Sequence, residues 1–369
     1  MTDRNEFIDH VFAELQEIES AIPGGTPTRA ARYIDGGNWL IQPGFALACL
    51  RRRIRWPRDH PILAGVSVKG LLRSCRSYAR AATLLADSQA AVVNVRQRAG
   101  GCMIRSFYPF TSHPVTIKAS QSGHDRLQRE VENRRIVEDL RHLRAPKILH
   151  HDLTAQCPFL IEQYVDGRIA LRRTDQTLLR QTLLPDLQRH YEAFGVSCKA
   201  IKSWFGRDVD EKIESAAEQL SWDPSWRDRQ QFMSVVRRLA ESDKQFTLSF
   251  CHGDLSVAHV AVSEDGKIFL LDWESAGVQP IAFDLVKLAR TCRVNRVSFY
   301  MDCEKLLSEL SLTVRSGDLF SPTEQMFLAS LRKLFDWQSY QAQYRIQGKD
   351  PKLVLRTTFS NANELLKHL

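Results

Sequence analysis

The chain has 369 residues, which is more than one minimal core needs, so we expect two lobes or a domain with an extension. Its 43% hydrophobic and 25% charged residues are ordinary for a folded protein and exclude a mostly disordered one. The net charge of +8 favours an anionic partner, which could be a nucleotide, a phosphorylated metabolite, a nucleic acid or an anionic membrane surface.

The cysteines and the N-terminus predict a reduced, cytoplasmic location. None of the eight cysteines forms a C-x-x-C pair or is grouped with histidines at zinc-ligand spacing. The opening MTDRNEFIDHVFAEL lacks the apolar segment of a secretory signal, and no apolar run approaches the ~18 residues needed to span a bilayer.

Residues 1–89 are predicted to form an N-terminal extension that is partly helical and basic. Apolar residues at helical spacing predict an opening helix, and PGGTPT ends it because proline and glycine do not continue a helix. A basic cluster follows, which consists of Arg51, Arg52, Arg53, Arg55 and Arg58. It is either a solvated face or a site for the phosphate groups of a partner or a membrane surface.

Residues 90–166 are predicted to form a small lobe built on an antiparallel sheet. The runs AAVVNV, CMIRSFYPF and HPVTIKAS predict three strands, and KILHHDL and PFLIEQYVDG predict two more. Between these two groups, DRLQREVENRRIVEDLRHL predicts a helix that ends before a proline.

Residues 167–369 are predicted to form a mainly helical lobe that carries a β-hairpin. The span 170–250 is predicted to be helical, as is FDLVKLART further on. Asp265 and Gly266 predict a tight turn between the strands VAHVAV and KIFLLDWE. Ser321 and Glu324 predict a capping box at the start of another helix.

The sequence carries the side chains that phosphoryl transfer requires, which are a cation for the ATP phosphates and carboxylates for magnesium and the attacking hydroxyl. Lys118 ends the strand VTIK, and either Glu130 or Glu132 of the next helix could pair with it. The turn RQRAGG, which contains Gly100 and Gly101, lacks the full G-x-G-x-x-G pattern of a phosphate-covering loop.

Two aspartates give the strongest indication of a catalytic site. Asp254 in HGD lies on a predicted turn and could accept a proton from a hydroxyl group, and Asp272 in LLDWE follows a strand and could hold magnesium. The alternative is that both aspartates only bind local backbone donors in turns. Both aspartates follow Lys118 in the chain, in this order, which argues against two unrelated turn residues.

The motifs HGDLSVAH and LLDWES, with VTIK and the REV helix upstream, resemble the aminoglycoside phosphotransferase and choline kinase group of the protein-kinase-like fold. The resemblance covers about residues 90–345. It implies a two-lobed α+β fold with a small antiparallel-sheet lobe and a mainly helical lobe. It further implies that Asp254 is the catalytic base, Asp272 a magnesium ligand and Lys118 the phosphate-binding lysine. Glu130 is preferred over Glu132 as the partner of Lys118, because REV matches the R-E-apolar pattern of the family.

The resemblance also assigns residues that bind the nucleotide and support the site. Gly100 and Gly101 correspond to the loop that binds the phosphates, and the segment from Glu162 to Tyr164 to the hinge that cups adenine. Asp284 resembles the structural aspartate that follows the metal site.

His259 departs from the family pattern, which usually has asparagine at this position. Three interpretations stay open. His259 could ligate a metal, with manganese as an alternative to magnesium; it could bind a phosphate or Asp254; or it could mark a weakened or inactive site.

The acceptor is predicted to be a hydroxyl group of a small molecule or saccharide. The chain has no A-P-E, little room for an activation loop after Asp272, and HGD in place of the HRD of protein kinases. Glu274 could contact the acceptor or support the metal. The aromatic or basic candidates for its pocket are Trp204, Phe205, Arg207, Trp222, Trp226, Trp337 and Tyr340.

Three functions are compatible with these patterns. An ATP-dependent phosphotransferase accounts for the whole motif set, and a non-catalytic pseudokinase that binds nucleotide or a protein partner is the alternative that His259 suggests. A nucleic-acid-binding protein is disfavoured, because the chain lacks a recognised binding motif. The basic extension could contact a lipid-linked or phosphorylated acceptor at a membrane face.

Overall fold

A computed structural model gives the arrangement of most of the chain. It describes residues 4–20, 22, 30–35, 39–42, 83–87, 90–98, 101–109, 114–121, 125–170, 174–205, 208–218, 229–292, 296–314, 317–334, 337, 341 and 350–366. Several predicted residues lie outside the described residues, namely Arg51, Arg52, Arg53, Arg55, Arg58, Gly100, Arg207, Trp222, Trp226 and Tyr340, and so does the side chain of Phe205.

Strands predominate among the elements described in the first half of the chain. In order they are α1 (Arg4–Glu19), β1 (Ala30–Asp35), β2 (Trp39–Ile41), β3 (Thr83–Asp87), β4 (Val92–Arg98), β5 (Gly101–Tyr108), β6 (Val115–Ser120), α2 (Asp125–Leu140), β7 (Ile148–Asp152), β8 (Phe159–Gln163) and β9 (Gly167–Ile169).

The second half is richer in helices. Its elements are α3 (Asp175–Leu178), a π-helical turn (Leu179–Leu183), α4 (Leu184–Phe194), β10 (Ser197–Ala200), α5 (Lys202–Phe205), α6 (Val209–Glu218), α7 (Arg229–Glu241), β11 (Gln245–Cys251), β12 (Val260–Ser263), β13 (Ile268–Leu270), β14 (Gly277–Pro280), α8 (Ile281–Thr291), α9 (Arg296–Leu312), α10 (Pro322–Ser330) and α11 (Pro351–Leu366). Short 3-10 turns lie at Val257–His259, Trp273–Ser275 and Arg332–Leu334.

The chain divides into two compact units. Unit 1 comprises Met1–Ile136, Arg144–Arg172 and Ala258–Glu274, and unit 2 comprises Val137–Leu143, Arg173–Val257 and Ser275–Leu369. The predicted boundaries after residues 89 and 166 stay a prediction. The two compact units have different bounds from these, because β1 to β3 pair in one sheet with later strands and β12 pairs with β9.

The main sheet of unit 1 is antiparallel throughout and has the strand order β3-β1-β2-β4-β5-β6-β8-β7. The predicted strands β4 to β8 and helix α2 are all present. Strands β1 to β3 were not predicted. Each is short, and β1 pairs with β3 across about fifty intervening positions, so no local pattern reveals the pairing.

Strand alternation gives the main sheet two chemically different faces. Val115, Ile117 and Ala119 of β6 point to one face and pack in a core with the apolar side of α1. Lys118 therefore points to the opposite face. On that face Leu160 of β8 packs against Leu127 and Val131 of α2, so α2 covers the face that carries the lysine.

The predicted opening helix is confirmed as α1, and it belongs to the core of unit 1. Val11, Leu15 and Ile18 are buried against the sheet. The buried Tyr108 hydroxyl of β5 also donates a hydrogen bond to Glu19 at 2.8 Å. The part of the chain before residue 90 therefore contributes directly to the unit that holds Lys118.

A small antiparallel sheet in unit 1 has the order β13-β12-β9. The predicted hairpin is present as β12 and β13, and Gly266 in its turn has φ +80°. The hairpin places His259 just before β12 and Asp272 just after β13.

Unit 2 combines helices with a three-stranded antiparallel sheet in the order β10-β11-β14. The prediction that residues 170–250 are helical is therefore wrong at β10 and β11. Strand β11 is almost wholly buried, and its sequence QFTLSFC alternates apolar and polar residues, so the strand pattern is present there and the helical prediction missed it. The predicted capping box is confirmed, with Glu324 N–H donating to Ser321 Oγ at 3.2 Å and Ser321 N–H donating to Glu324 at 2.9 Å.

The fold class is α+β, as predicted. Within the described part of the chain, none of the helices combines the length and the apolar character that crossing a membrane requires.

Replacement of Leu15 by Ala should lower the free energy of unfolding by about 2–5 kcal/mol, because it leaves a cavity between α1 and the sheet. Glu17→Ala on the exposed side of the same helix should change it by less than about 0.5 kcal/mol. Urea unfolding measures both variants. Equal stability of the two would show that α1 does not contribute to the core of unit 1.

Candidate active site

Lys118 lies in unit 1 among three carboxylates. Its Nζ is 2.5 Å from Glu130 of α2, 3.2 Å from Asp272 and 3.5 Å from Glu162 of β8. Glu132, the alternative partner, is exposed and instead accepts a hydrogen bond from Gln128. The predicted pairing of Lys118 with Glu130 is thus present.

The carboxylates keep the buried lysine charged. Burial alone would lower the pKa of Lys118, but the attraction of Glu130, Glu162 and Asp272 raises it above its ordinary value. Burial would likewise raise the pKa of Glu130, and Lys118 and Arg134 instead hold it below its ordinary value. Lys118 and Glu130 are therefore both charged, and they form an ion pair on the face of the sheet that α2 covers.

Arg134 is a second buried cation, one helical turn after Glu130 on α2. Its guanidinium lies 2.9 Å from Glu130, contacts Glu162, and donates to the Pro146 carbonyl at 2.7 Å. Arg134 is fully buried, so these partners have to offset the free-energy cost of burying its charge. It links the helix to β8 and fixes the two glutamates that surround Lys118.

Asp272 follows β13, and its side chain is more exposed than those of Glu130 and Glu162. It contacts Arg105 of β5, which stands directly opposite Lys118 in the sheet register. Burial would raise the pKa of Asp272, but Arg105, Lys118 and His259 hold it well below its usual range. Its φ of +66° is a conformation that costs free energy for residues other than glycine and often occurs at functional sites. Asp272 is thus an ionised carboxylate in a fixed position.

His259 is close to Asp272, with 3.7 Å between Nε2 and the carboxylate Oδ2. Among the described residues, no group of three or more His, Cys, Asp or Glu side chains is placed to hold a metal ion. Asp272 and His259 both carry atoms that can bind a metal, and their role as metal ligands stays a prediction.

The predicted hinge lies at the end of β8, and Gly101 of the predicted glycine turn lies at the start of β5. Glu162 contributes its side chain to the charged group, which the sequence reasoning did not foresee. The Tyr164 N–H donates to the Pro114 carbonyl at 3.1 Å and the Gln163 N–H to Lys147 at 2.8 Å. Gly101 is the first residue of β5. The nucleotide-binding roles of these residues stay predictions.

The HGD segment lies in unit 2 and is held by Asp284 of α8. The buried Asp284 carboxylate accepts backbone hydrogen bonds from His252 at 2.7 Å and from Gly253 at 2.8 Å. Burial raises the pKa of Asp284 to about 6, and the bonds from His252, Gly253 and Leu255 act in the opposite direction. Asp284 therefore fixes the loop that carries Asp254.

Gly253 is required by the shape of this loop. Its φ is +78°, and a Cβ atom added to it would lie 2.0 Å from the Ser275 carbonyl oxygen. Because that neighbour is backbone, the loop has to move if any side chain is added. The next residue, Asp254, has a half-buried side chain that contacts Lys287 of α8.

The candidate acceptor residues that the structure describes mostly serve packing. Trp204 packs edge-on against Phe283 at 6.3 Å, and Trp337 is buried. Glu274, in unit 1, lies 3.6 Å from Arg126.

Sequence reasoning missed Arg105, Arg134 and Lys287. Arg105 alternates with buried neighbours in β5, so strand periodicity could have placed it on the face of Lys118. Arg134 lies four residues after Glu130, the spacing of a helical ion pair. Lys287 gives no signal of this kind, because its contact with Asp254 joins two distant parts of the chain.

Arg134→Met should lower the free energy of unfolding by about 3–5 kcal/mol, because it leaves Glu130 and Glu162 buried without this cation. Arg135→Met, at the next and exposed position of α2, is the matched control and should cost less than about 0.5 kcal/mol. Chemical denaturation distinguishes the two. Equal costs would mean that the buried charges do not depend on Arg134.

Gly253→Ala should be more destabilising than Gly266→Ala, although both glycines have φ near +80°. Nothing lies within 4 Å of a Cβ atom at Gly266, so that variant should cost only the ~1–2 kcal/mol of a left-handed alanine. Gly253→Ala adds the clash with Ser275. Similar thermal midpoints for the two variants would contradict the loop structure described here.

Comparisons with known proteins place the chain in a family. Comparison with curated proteins gave no match. Among solved structures, choline kinase LicA from Streptococcus pneumoniae is similar over 72% of this chain and 90% of its own, at 19% identity and a TM-score of 0.46. Macrolide 2'-phosphotransferase MphH from Brachybacterium faecium is similar over 73% and 92%, at 13% identity and a TM-score of 0.46.

A third structure, an aminoglycoside phosphotransferase from Alicyclobacillus acidocaldarius, is similar over 74% of this chain and 89% of its own, at 13% identity and a TM-score of 0.45. At these sequence identities and TM-scores, the acceptors of these three proteins do not identify the acceptor of this chain. A model of the phosphotransferase enzyme family, in contrast, matches residues 114–304, which is more than half of the sequence. The chain therefore belongs to the phosphotransferase enzyme family, which confirms the predicted family.

Proposed function

We propose that the protein transfers the γ-phosphate of ATP to a hydroxyl group of a small molecule or saccharide. Family membership makes it a phosphotransferase enzyme, and ATP and the acceptor are our inference. The observation that carries the proposal is the buried Lys118, which is kept protonated and directed by Glu130 beside the ionised Asp272. Phosphoryl transfer relies on positioning and charge, which this group of side chains supplies.

Lys118 is the residue that would bind the ATP phosphates, with Glu130 as its positioning partner. A lysine without such a partner would lose its proton on burial and could not attract a phosphate. Here the pKa of Lys118 is raised, so the cation persists at neutral pH. The segment from Glu162 to Tyr164 is proposed to bind adenine, and Gly101 to lie near the phosphates.

Magnesium fits the donor chemistry at Asp272. Magnesium in nucleotide-using enzymes commonly takes one or two carboxylates together with the phosphates, and Asp272 is an ionised carboxylate with His259 as its neighbour. Asp272 would hold the metal, and His259 is a second candidate ligand, for which manganese is the better match. When bound, the metal supplies positive charge to the phosphates.

Asp254 is the proposed base. Its loop is fixed by Asp284 and by the left-handed Gly253, so the carboxylate has a defined direction. The side chain is only half buried and can be reached by an acceptor. It would accept the proton of the attacking hydroxyl group, a contribution of typically ~10²–10⁴-fold in rate.

Asp254→Asn should leave the affinity for ATP within about twofold of wild type and reduce transfer by at least ~100-fold, because asparagine cannot accept the proton. Asp272→Asn should instead remove the magnesium-dependent part of ATP binding. Asp139→Asn, at an exposed position of α2, is the control for both variants. Calorimetric titration of ATP with and without magnesium, followed by turnover on a panel of hydroxyl acceptors, measures the two effects separately.

Near-normal turnover in Asp254→Asn would overturn the assignment of the base. Unchanged metal-dependent binding in Asp272→Asn would overturn the assignment of the metal ligand. Failure of the wild-type protein to bind ATP under any condition would overturn the use of ATP and favour a non-catalytic scaffold.

A further inference from the structure

Cations are concentrated around the loop of Asp254 in unit 2. Lys287 contacts the Asp254 carboxylate, and Arg332 donates to the Gly253 carbonyl at 3.2 Å. Arg290 lies three positions after Lys287 on α8, and Lys333 directly follows Arg332. These four residues, Lys287, Arg290, Arg332 and Lys333, are called the cation cluster below.

The cation cluster is built on two elements that pack together. Lys287 and Arg290 are three residues apart on α8, which places them on one face of that helix. Arg332 and Lys333 lie in the 3-10 turn after α10, and α8 packs against α10. The Arg332 guanidinium stacks 4.4 Å from the centre of the Phe283 ring of α8, which fixes its position.

The members of the cation cluster repel one another. Burial together with Lys333, Arg332 and Arg290 lowers the pKa of Lys287 to about 7, even though Lys287 contacts Asp254. Burial, Arg290 and Arg332 lower the pKa of Lys333 to about 8. This is the reverse of Lys118 in unit 1, whose carboxylate neighbours raise its pKa. A bound anion would relieve the repulsion.

The proposed role of Asp254 as the base does not account for the cation cluster. Lys287 places a positive charge in contact with the Asp254 carboxylate, which works against the acceptance of a proton there. An anion bound at the cation cluster would offset that effect while the hydroxyl group reacts. The position of the cluster beside Asp254 then suits a group that belongs to the acceptor.

We propose that the cation cluster is a subsite for an anionic group of the acceptor, a phosphate or a carboxylate carried near the hydroxyl group that reacts. The substrate class is thus an anionic one, such as a phosphorylated saccharide. This proposal deepens the proposed function and rests on it. The same cations could instead bind the γ-phosphate of the nucleotide, and the experiment separates the two sources.

The probe is inorganic phosphate, titrated calorimetrically into the full-length protein without nucleotide. Lys333→Met retains the aliphatic part of the side chain and should weaken phosphate binding by about tenfold, as should Arg290→Met. Lys333→Arg should restore it. Lys305→Met, at an exposed position of α9, is the matched control and should bind phosphate as wild type does. Unfolding midpoints confirm that each variant is folded.

Equal phosphate affinity in wild type and both methionine variants would overturn the subsite. The same variants are then titrated with ATP and magnesium. If the anion belongs to the acceptor, ATP affinity stays within about twofold of wild type. A tenfold loss of ATP affinity in Lys333→Met would assign the cluster to the nucleotide and overturn the proposal. If wild-type protein binds phosphate at the cluster but never binds ATP, the proposed function fails while the anion site stands.

Discussion

The burial of Lys118 is the constraint on which the architecture of unit 1 depends. A lysine in the interior stays charged only if carboxylates surround it, and here Glu130, Glu162 and Asp272 do so from a helix, a strand and a hairpin. These carboxylates in turn need the cations Arg134 and Arg105. The group can exist only where the sheet, α2 and the hairpin meet, so the same contacts fix the site and hold unit 1 together.

The sequence predicts most local elements, because their signals are local. The alternation in β6, the periodicity of α2, the Asp265-Gly266 turn and the Ser321 capping box each lie within a few residues, and all are present. The sequence does not reveal partners that are distant in the chain. Strands β1 and β3 pair across about fifty intervening positions. Strand β11 is a different case, because the alternation in QFTLSFC is a local strand signal that the helical prediction missed.

The candidate site is likewise only partly predictable from the sequence, because contacts between distant residues are not revealed by it. Lys118, Asp254 and Asp272 could be proposed as site residues because phosphoryl transfer restricts the residue types and their order, and their roles stay predictions. Glu130 could be preferred over Glu132 only through the resemblance, whereas the structure separates a buried glutamate from an exposed one. Arg105, Arg134 and the cation cluster were missed, because an arginine on a strand or helix is usually solvated and only the tertiary contact gives it a partner.

The two charged groups of the molecule differ in a way that bears on what they bind. In unit 1 the cations Arg105, Lys118 and Arg134 face three carboxylates, and the pKa of Lys118 is raised. In unit 2 burial and the neighbouring cations of the cation cluster lower the pKa values of Lys287 and Lys333. A balanced group can accept a metal together with phosphates, because the added charges nearly cancel. A group dominated by cations gains most from an anion alone, which is why the acceptor, and not only the nucleotide, is inferred to be charged.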